Sequence, residues 1–167
     1  MPLVGIEESS LDDKGRVLIS KAKRDALGSK FHARVTEIGC IACYPNKAFL
    51  QLGEESMQGH VLDPDRQDFT RMVLGPAATN LAFDPQGRVV IPKFMRVEAG
   101  ISQDVEIVVV GCGDRVEIWS QVEWIHYRKD PAGYKREARD DFRQIFREAV
   151  LKKHGGAGEA SPQERPV

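Results

Sequence analysis

One short stretch occurs twice, and it constrains the fold more than any other feature of the chain. Residues 12–16 read Asp-Asp-Lys-Gly-Arg and residues 84–88 read Asp-Pro-Gln-Gly-Arg. The first is followed by Val17-Leu18-Ile19-Ser20-Lys21-Ala22-Lys23-Arg24, the second by Val89-Val90-Ile91-Pro92-Lys93-Phe94-Met95-Arg96. In one fixed register Asp12 matches Asp84, Gly15 matches Gly87, Lys21 matches Lys93 and Arg24 matches Arg96. The correspondence continues through Gly28 with Gly100, Gly39 with Gly111 and Cys40 with Cys112. After a small shift it pairs Tyr44 with Trp119 and Phe49 with Trp124. A unit present only twice points to a duplicated domain half rather than an open solenoid.

Local signals assign the same elements to each copy. Residues 3–20 read as a β-hairpin whose polar turn holds Gly15, the residue that reaches positive φ without steric cost. Ser20 is placed to cap a short helix from Lys21 to Leu27, and Gly28 ends it. Phe31 to Ile38 and Ile41 to Tyr44 read as strands, and Pro45 opens a helix to about Leu52. In the second copy Val89 to Ile91 is a strand, Pro92 starts a helix over Lys93 to Ala99, and Val105 to Val110 and Val116 to Trp119 are strands. Ser120-Gln121-Val122-Glu123 has the form of a capping box, opening a helix through about Tyr127.

The connector from Gly53 to Asn80 holds a helix over Pro64 to Leu74 with Phe69, Met72 and Val73 on one face. Beyond Pro131, Tyr134 to about Lys153 forms a long amphipathic helix, with Ala138, Phe142, Ile145, Phe146, Ala149 and Val150 at helical spacing. That stripe suits packing on this chain or on a neighbouring subunit. Its other face, with Arg136, Arg139, Arg143, Arg147, Lys152 and Lys153, reads as solvated, because Glu137, Asp140, Asp141 and Glu148 dilute it. Gly, Pro, Ser and Glu dominate the tail at 154–167, a composition typical of disorder.

In each copy an Asp stands four residues before an Arg, across a turn containing Gly. Such a carboxylate can order the turn or fix the guanidinium, whose planar fork then suits a phosphate or a base edge. The plainer alternative is a structural ion pair. Basic residues crowd the first motif, with Lys14, Arg16, Lys21, Lys23, Arg24, Lys30 and Arg34 against a single acid, Asp25. The second copy adds Arg88, Lys93 and Arg96. A formal net charge of -1 gives no global sign of a nucleic-acid partner, so any such site must be local.

Other chemistries have weaker support. Cys40-Ile41-Ala42-Cys43 is a Cys-x-x-Cys, but residues three apart on a strand face opposite sides, which argues against a shared metal or redox site with Cys112. Gly111-Cys112-Gly113 lacks the third Gly and the long helix of a dinucleotide fingerprint. The four histidines are scattered, and no nucleophile–base or paired-carboxylate arrangement stands out. These patterns imply no catalysis, no metal, no cofactor and no small-molecule substrate. No segment reaches the roughly 20 apolar residues of a membrane span. Glu7 and Glu8 break any signal-peptide pattern, and three cysteines fit a reducing, cytoplasmic setting.

The two Asp-x-x-Gly-Arg motifs, the Val90-Ile91-Pro92-Lys93 run, and Glu117-Ile118-Trp119 followed by Trp124 resemble the MraZ family, which is built of two SpoVT/AbrB-type repeats. The resemblance spans about residues 5–127, with Ser20 where the first copy would carry Pro. It implies a mainly β fold with short helices (α+β), in which two swapped-hairpin halves form one pseudo-twofold barrel, followed by the C-terminal amphipathic helix. The corresponding units are repeat 1 at 5–52, a helical connector at 53–80, repeat 2 at 81–127, the helix at 134–153 and the tail.

The resemblance also implies a ring-shaped homo-oligomer in the cytoplasm, associated with the nucleoid. Its partner would be double-stranded DNA at repeated promoter boxes, and it would regulate transcription of the division and cell wall gene cluster. DNA contacts would come from Lys14, Arg16, Lys21, Arg24, Arg88, Lys93 and Arg96. Asp12, Gly15, Asp84 and Gly87 would hold the motif together. Because the second motif lacks a basic residue beside Arg88, the second copy is expected to contact DNA less strongly. The competing readings are a ring-forming interaction scaffold that binds no DNA and, more remotely, an antitoxin-like partner of a toxin.

Overall fold

The computed structural model describes residues 2–151. The tail at 154–167 and the last two residues of the expected C-terminal helix lie outside the described residues. The order is β1 Ile6–Ser9, β2 Arg16–Leu18, α1 Lys21–Leu27, β3 Phe31–Val35, β4 Ile41–Pro45, α2 Asn46–Ser56 and α3 Pro64–Val73. There follow β5 Ala77–Leu81, β6 Arg88–Val90, α4 Lys93–Glu98, β7 Ile107–Gly111, β8 Val116–Ser120, α5 Gln121–Lys129 and α6 Arg136–Phe146, which runs on as a π-helical segment, Arg147–Leu151.

The fold is mixed α+β, with one large antiparallel sheet. Its strand order is β1-β7-β8-β4-β3-β5, and β2 with β6 makes a separate two-stranded ribbon. Exchanging the two copies leaves that order unchanged, so the duplication in sequence is a near-twofold in space. At its centre Val17 faces Val89 in the ribbon, and Ala42 faces Glu117 in the sheet. The first strand of each copy pairs with a strand of the other copy, β1 against β7 and β5 against β3.

The expected hairpin over residues 3–20 therefore does not form. Between its arms no strand ladder joins β1 to β2; the contacts are the Leu11–Val17 bridge, the Asp12 N–H on the Arg16 carbonyl, and side-chain bonds such as Ser9 Oγ–H to the Leu18 carbonyl. The reason lies in the core. Val17, Ile19, Val89 and Ile91 are buried together against Phe31, Ile41, Ile107 and Ile118 of the sheet, with Leu27 and Met95 from α1 and α4 closing the sides. Strand β2 can put Val17 and Ile19 there only by lying beside its own counterpart, β6. Burial on that scale outweighs the modest preference for a local turn.

Three other expectations are corrected. Ser20 precedes α1 but makes no side-chain cap; its N–H and Oγ–H both donate to the Glu7 carboxylate instead, at 2.9 and 2.8 Å. Helix α2 continues through Gly53 to Ser56 because Leu52 packs beside Phe69 and Ala149, and burial exceeds the roughly 1 kcal/mol cost of a helical Gly. The connector also contains a strand, β5, where none was expected. β5 is short of β-branched residues and bends at Asn80, which has φ 57°. The Asn80 N–H donates to His32 Nδ1, so the buried His32 must donate from Nε2 to Asn46 Oδ1 at 2.8 Å. His32 thus ties β5 to α2.

The far face of the sheet carries two further clusters. Trp119 packs with Val108, Val110, Cys40 and Tyr134, its ring 5.3 Å from Trp124 and 5.4 Å from Tyr127. Ser120 caps α5 by accepting the Glu123 N–H, while the Glu123 carboxylate turns to the Tyr134 hydroxyl at 2.6 Å. The apolar stripe of α6 finds its partner within this chain. Phe142, Ile145, Phe146, Ala149 and Val150 pack on Phe69 and Val73 of α3, and Ala138 stays exposed. No helix among the described residues is long and apolar enough to cross a membrane.

Candidate nucleic-acid interface

The two motif turns are built alike. Asp12 Oδ1 accepts the N–H groups of Lys14 and Arg16 at 2.9 and 2.8 Å, and Asp84 Oδ1 accepts those of Gln86 and Arg88 at 3.0 and 2.9 Å. Gly15 and Gly87 sit at φ 74° and 83°, where a side chain would be strained. The Gly15 carbonyl accepts the Ile91 N–H, and the Gly87 carbonyl accepts the Ile19 N–H, so each turn is bonded to the opposite copy.

The remaining carboxylate oxygens knit the copies together. Arg16 meets Asp12 Oδ2 at 2.7 Å and Asp84 Oδ2 at 3.5 Å. Arg88 meets Asp84 Oδ2 at 3.3 Å and Asp12 Oδ2 at 3.7 Å. Each Asp thus orders its own turn and fixes guanidinium groups of both copies. The result is a charge-balanced quartet on the outer face of the ribbon, beside Leu18 and Val90.

A second pair of arginines is held differently. Arg24 donates to the Ile19 carbonyl and lies over Gly87; Arg96 donates to the Ile91 carbonyl and lies over Gly15. Lys14, Lys21 and Lys93 are exposed. Among the described residues no carboxylate pairs with Arg24, Arg96 or these three lysines, so the net positive charge near the ribbon comes from them and not from Arg16 and Arg88. Two members of the basic run are withdrawn from the surface. Lys23 is buried against Glu7 at 2.7 Å, and buried Arg34 donates to the Val73 carbonyl and to Glu37. Sequence could not separate these from the exposed cations, because the distinction depends on partners distant in the chain.

The quartet carries a pH signature. Burial alone would raise the Asp12 carboxyl, but the Arg16 and Lys14 N–H groups and the Arg16 guanidinium outweigh it and hold it below its ordinary value. Asp84 is lowered first by the Arg88 N–H, against a smaller effect of burial, and then by the Arg88 and Arg16 charges. Carboxyls lowered in the folded state add stability that is complete above their unfolded pKa and is lost as pH falls through the folded one. Chemical denaturation followed from about pH 5 to about pH 2 should therefore show stability falling, with a shallower fall in the double variant Asp12→Asn/Asp84→Asn.

The cysteines do not converge. Cys43 lies in the core between ribbon and sheet, while Cys40 lies on the far face with Trp119. Burial pushes the Cys43 and Cys112 thiols up to about 12 and raises Cys40 as well, which keeps all three protonated. Among the described residues no group of three or more His, Cys, Asp or Glu could hold a metal ion.

A family model described as "MraZ protein, putative antitoxin-like" matches residues 74–150. The Transcriptional regulator MraZ of Cutibacterium acnes is 36% identical over 124 residues, covering 74% of this chain and 85% of that protein. That of Natranaerobius thermophilus is 35% identical over 141 residues, covering 84% and 92%. That of Kineococcus radiotolerans is 33% identical over 124 residues, covering 74% and 85%. With relatives this similar matched over most of their length, and with both copies of the motif built into one ribbon, the chain belongs to the MraZ family.

Proposed function

We propose that the chain is a DNA-binding transcriptional regulator whose ribbon face meets the duplex. The observation that carries the reading is the set of uncompensated cations around the ribbon, Lys21 and Arg24 repeated by the near-twofold as Lys93 and Arg96, with Lys14 added in the first copy. Phosphates are bound by such cations, and two related copies repeat the pattern along a backbone. Arg16 and Arg88 complete the face, at the cost of competing with Asp12 and Asp84. The names of the matched relatives support the regulatory role.

The finer reading joins the two halves, 5–52 and 81–127, in a swapped-hairpin barrel, with 53–80 as connector. It assembles copies into a ring on repeated promoter boxes of the division and cell wall gene cluster. A ring would let weak contacts add through effective concentration. The crossed pairing of β1 with β7 supports the exchange of elements between halves.

The test is a salt-titrated binding assay with the promoter region upstream of the protein's own gene and a scrambled control. Selective binding with a steep salt dependence is expected. The triple variant Lys14→Gln/Lys21→Gln/Lys93→Gln should lower the slope of log affinity against log salt by about 3 per chain, at nearly 1 per phosphate contact. These exposed lysines make a cleaner probe than Arg16→Ala, which would also leave Asp12 and Asp84 under-compensated. A folded protein that binds no duplex at low salt would refute the reading.

A further inference from the structure

The two motif turns share one backbone path and differ at their tips. Lys14 and Gln86 occupy the same place, each donating its N–H to the motif Asp, and both are exposed. Beside them stand Asp13 in the first turn and Pro85 in the second. Proline fixes φ, so the second tip is the stiffer.

The arginines behind the tips also differ. Arg16 is clamped by Asp12 at 2.7 Å with a hydrogen bond from Nε, and its side chain is 22% exposed. Arg88 is 31% exposed, and its Nε lies 3.3 Å from Asp84 Oδ2 without hydrogen-bond alignment. Its Nη2 donates instead to Gln86 Oε1 at 3.4 Å. The second turn thus presents a coupled unit, a guanidinium oriented by an exposed amide that keeps two N–H donors of its own. The first presents an exposed ammonium on a flexible stem, beside a guanidinium already clamped by Asp12.

Planar groups with several fixed donors discriminate base edges, whereas a lysine ammonium acts as a point charge and senses mainly phosphate. We infer that the two turns divide the work of DNA recognition, Gln86 with Arg88 selecting base pairs and Lys14 supplying sequence-independent attraction, an inference that rests on the DNA-binding function proposed above. The second copy, which has less charge at its tip, is then the more selective one, and the recognised DNA unit lacks twofold symmetry although the protein fold nearly has it.

The experiment is selection from a pool of duplexes with a randomised core, using the full chain and the variants Gln86→Ala, Gln86→Glu and Lys14→Ala, each checked for an unchanged melting curve. The enriched duplexes are then titrated with salt. Wild type should enrich one asymmetric sequence. Gln86→Ala should lose discrimination at one position by about 5- to 150-fold, the range of a good bidentate base contact, with the salt slope unchanged. Gln86→Glu keeps the acceptor for Arg88 but has no amide donors, so its preferred base should change rather than fade. Lys14→Ala should enrich the wild-type sequence with a slope smaller by about 1.

The division is overturned if Gln86→Ala retains full discrimination, or if Lys14→Ala alters the enriched sequence as much as Gln86→Ala does. A wild-type protein that binds no duplex at all overturns the DNA reading itself, and a wild type that selects while Gln86→Ala is indistinguishable from it overturns only this division.

Discussion

Trp119→Ala is expected to lower the free energy of unfolding by about 4 kcal/mol, the mid-range for truncating a buried tryptophan. Trp119 is 2% exposed and joins three elements. Its ring meets Trp124 and Tyr127 of α5, and Tyr134 at 6.0 Å, just ahead of α6. Its Nε1–H donates at 3.1 Å to the buried Glu117, whose other oxygen accepts from Arg115. Alanine would leave a cavity, remove aromatic contacts that add to the area term, and take one donor from a buried carboxylate. Of a total stability of roughly 5–15 kcal/mol for a domain, that is a large share. Denaturant unfolding at fixed protein concentration gives the number. Trp119→Phe should cost clearly less, since it keeps most of the packing and loses the Glu117 bond. A loss under about 1 kcal/mol for the alanine variant would mean that α5 and Tyr134 are held by something other than this ring.

Much of this arrangement is legible in the sequence, and the part that is not has a common physical cause. The repeat is readable because Asp, Gly and Arg recur in fixed register, and each does a job set within five residues: Asp12 caps the turn it begins, and Gly15 supplies positive φ. The apolar stripe of α6 is readable because it follows the helical period. That it meets Phe69 and Val73 is not, because nothing local in Phe142 or Ile145 names the partner. The same holds for the ribbon. Arg16-Val17-Leu18 reads as a strand, yet whether it pairs with Ile6–Ser9 or with Arg88–Val90 depends on which arrangement buries Val17 and Ile19. The candidate site shows the limit most clearly. The pairing of Asp12 with Arg16 is foreseeable, its reach to Arg88 is not, and Arg34 counts as a surface cation until its guanidinium is found on the Val73 carbonyl.

Gly111→Ala tests the interdependence of the two copies. Gly111 ends β7, and its N–H donates to the Gly5 carbonyl at 2.8 Å. A methyl added there would lie 2.5 Å from the Val4 nitrogen and 2.7 Å from its carbonyl carbon and oxygen. These are main-chain atoms, so no side-chain rotation relieves the clash, and the segment before β1 must move off β7. The bond to Gly5 and the two between Leu3 and Gly113 would weaken with it. Overpacking of this kind costs about 1–3 kcal/mol, and amide exchange should report the loss first at residues 3–9. The consequence then crosses to the other half. β1 carries Glu7, whose carboxylate holds Ser20 and Lys23 at the start of α1, the helix that bears Lys21 and Arg24. A substitution in the second copy should therefore loosen the cationic helix of the first and weaken DNA binding. If exchange at residues 3–9 stays as slow as in wild type, β7 does not hold β1 through this contact. Faster exchange there with undiminished DNA affinity would show instead that α1 keeps its position without Glu7.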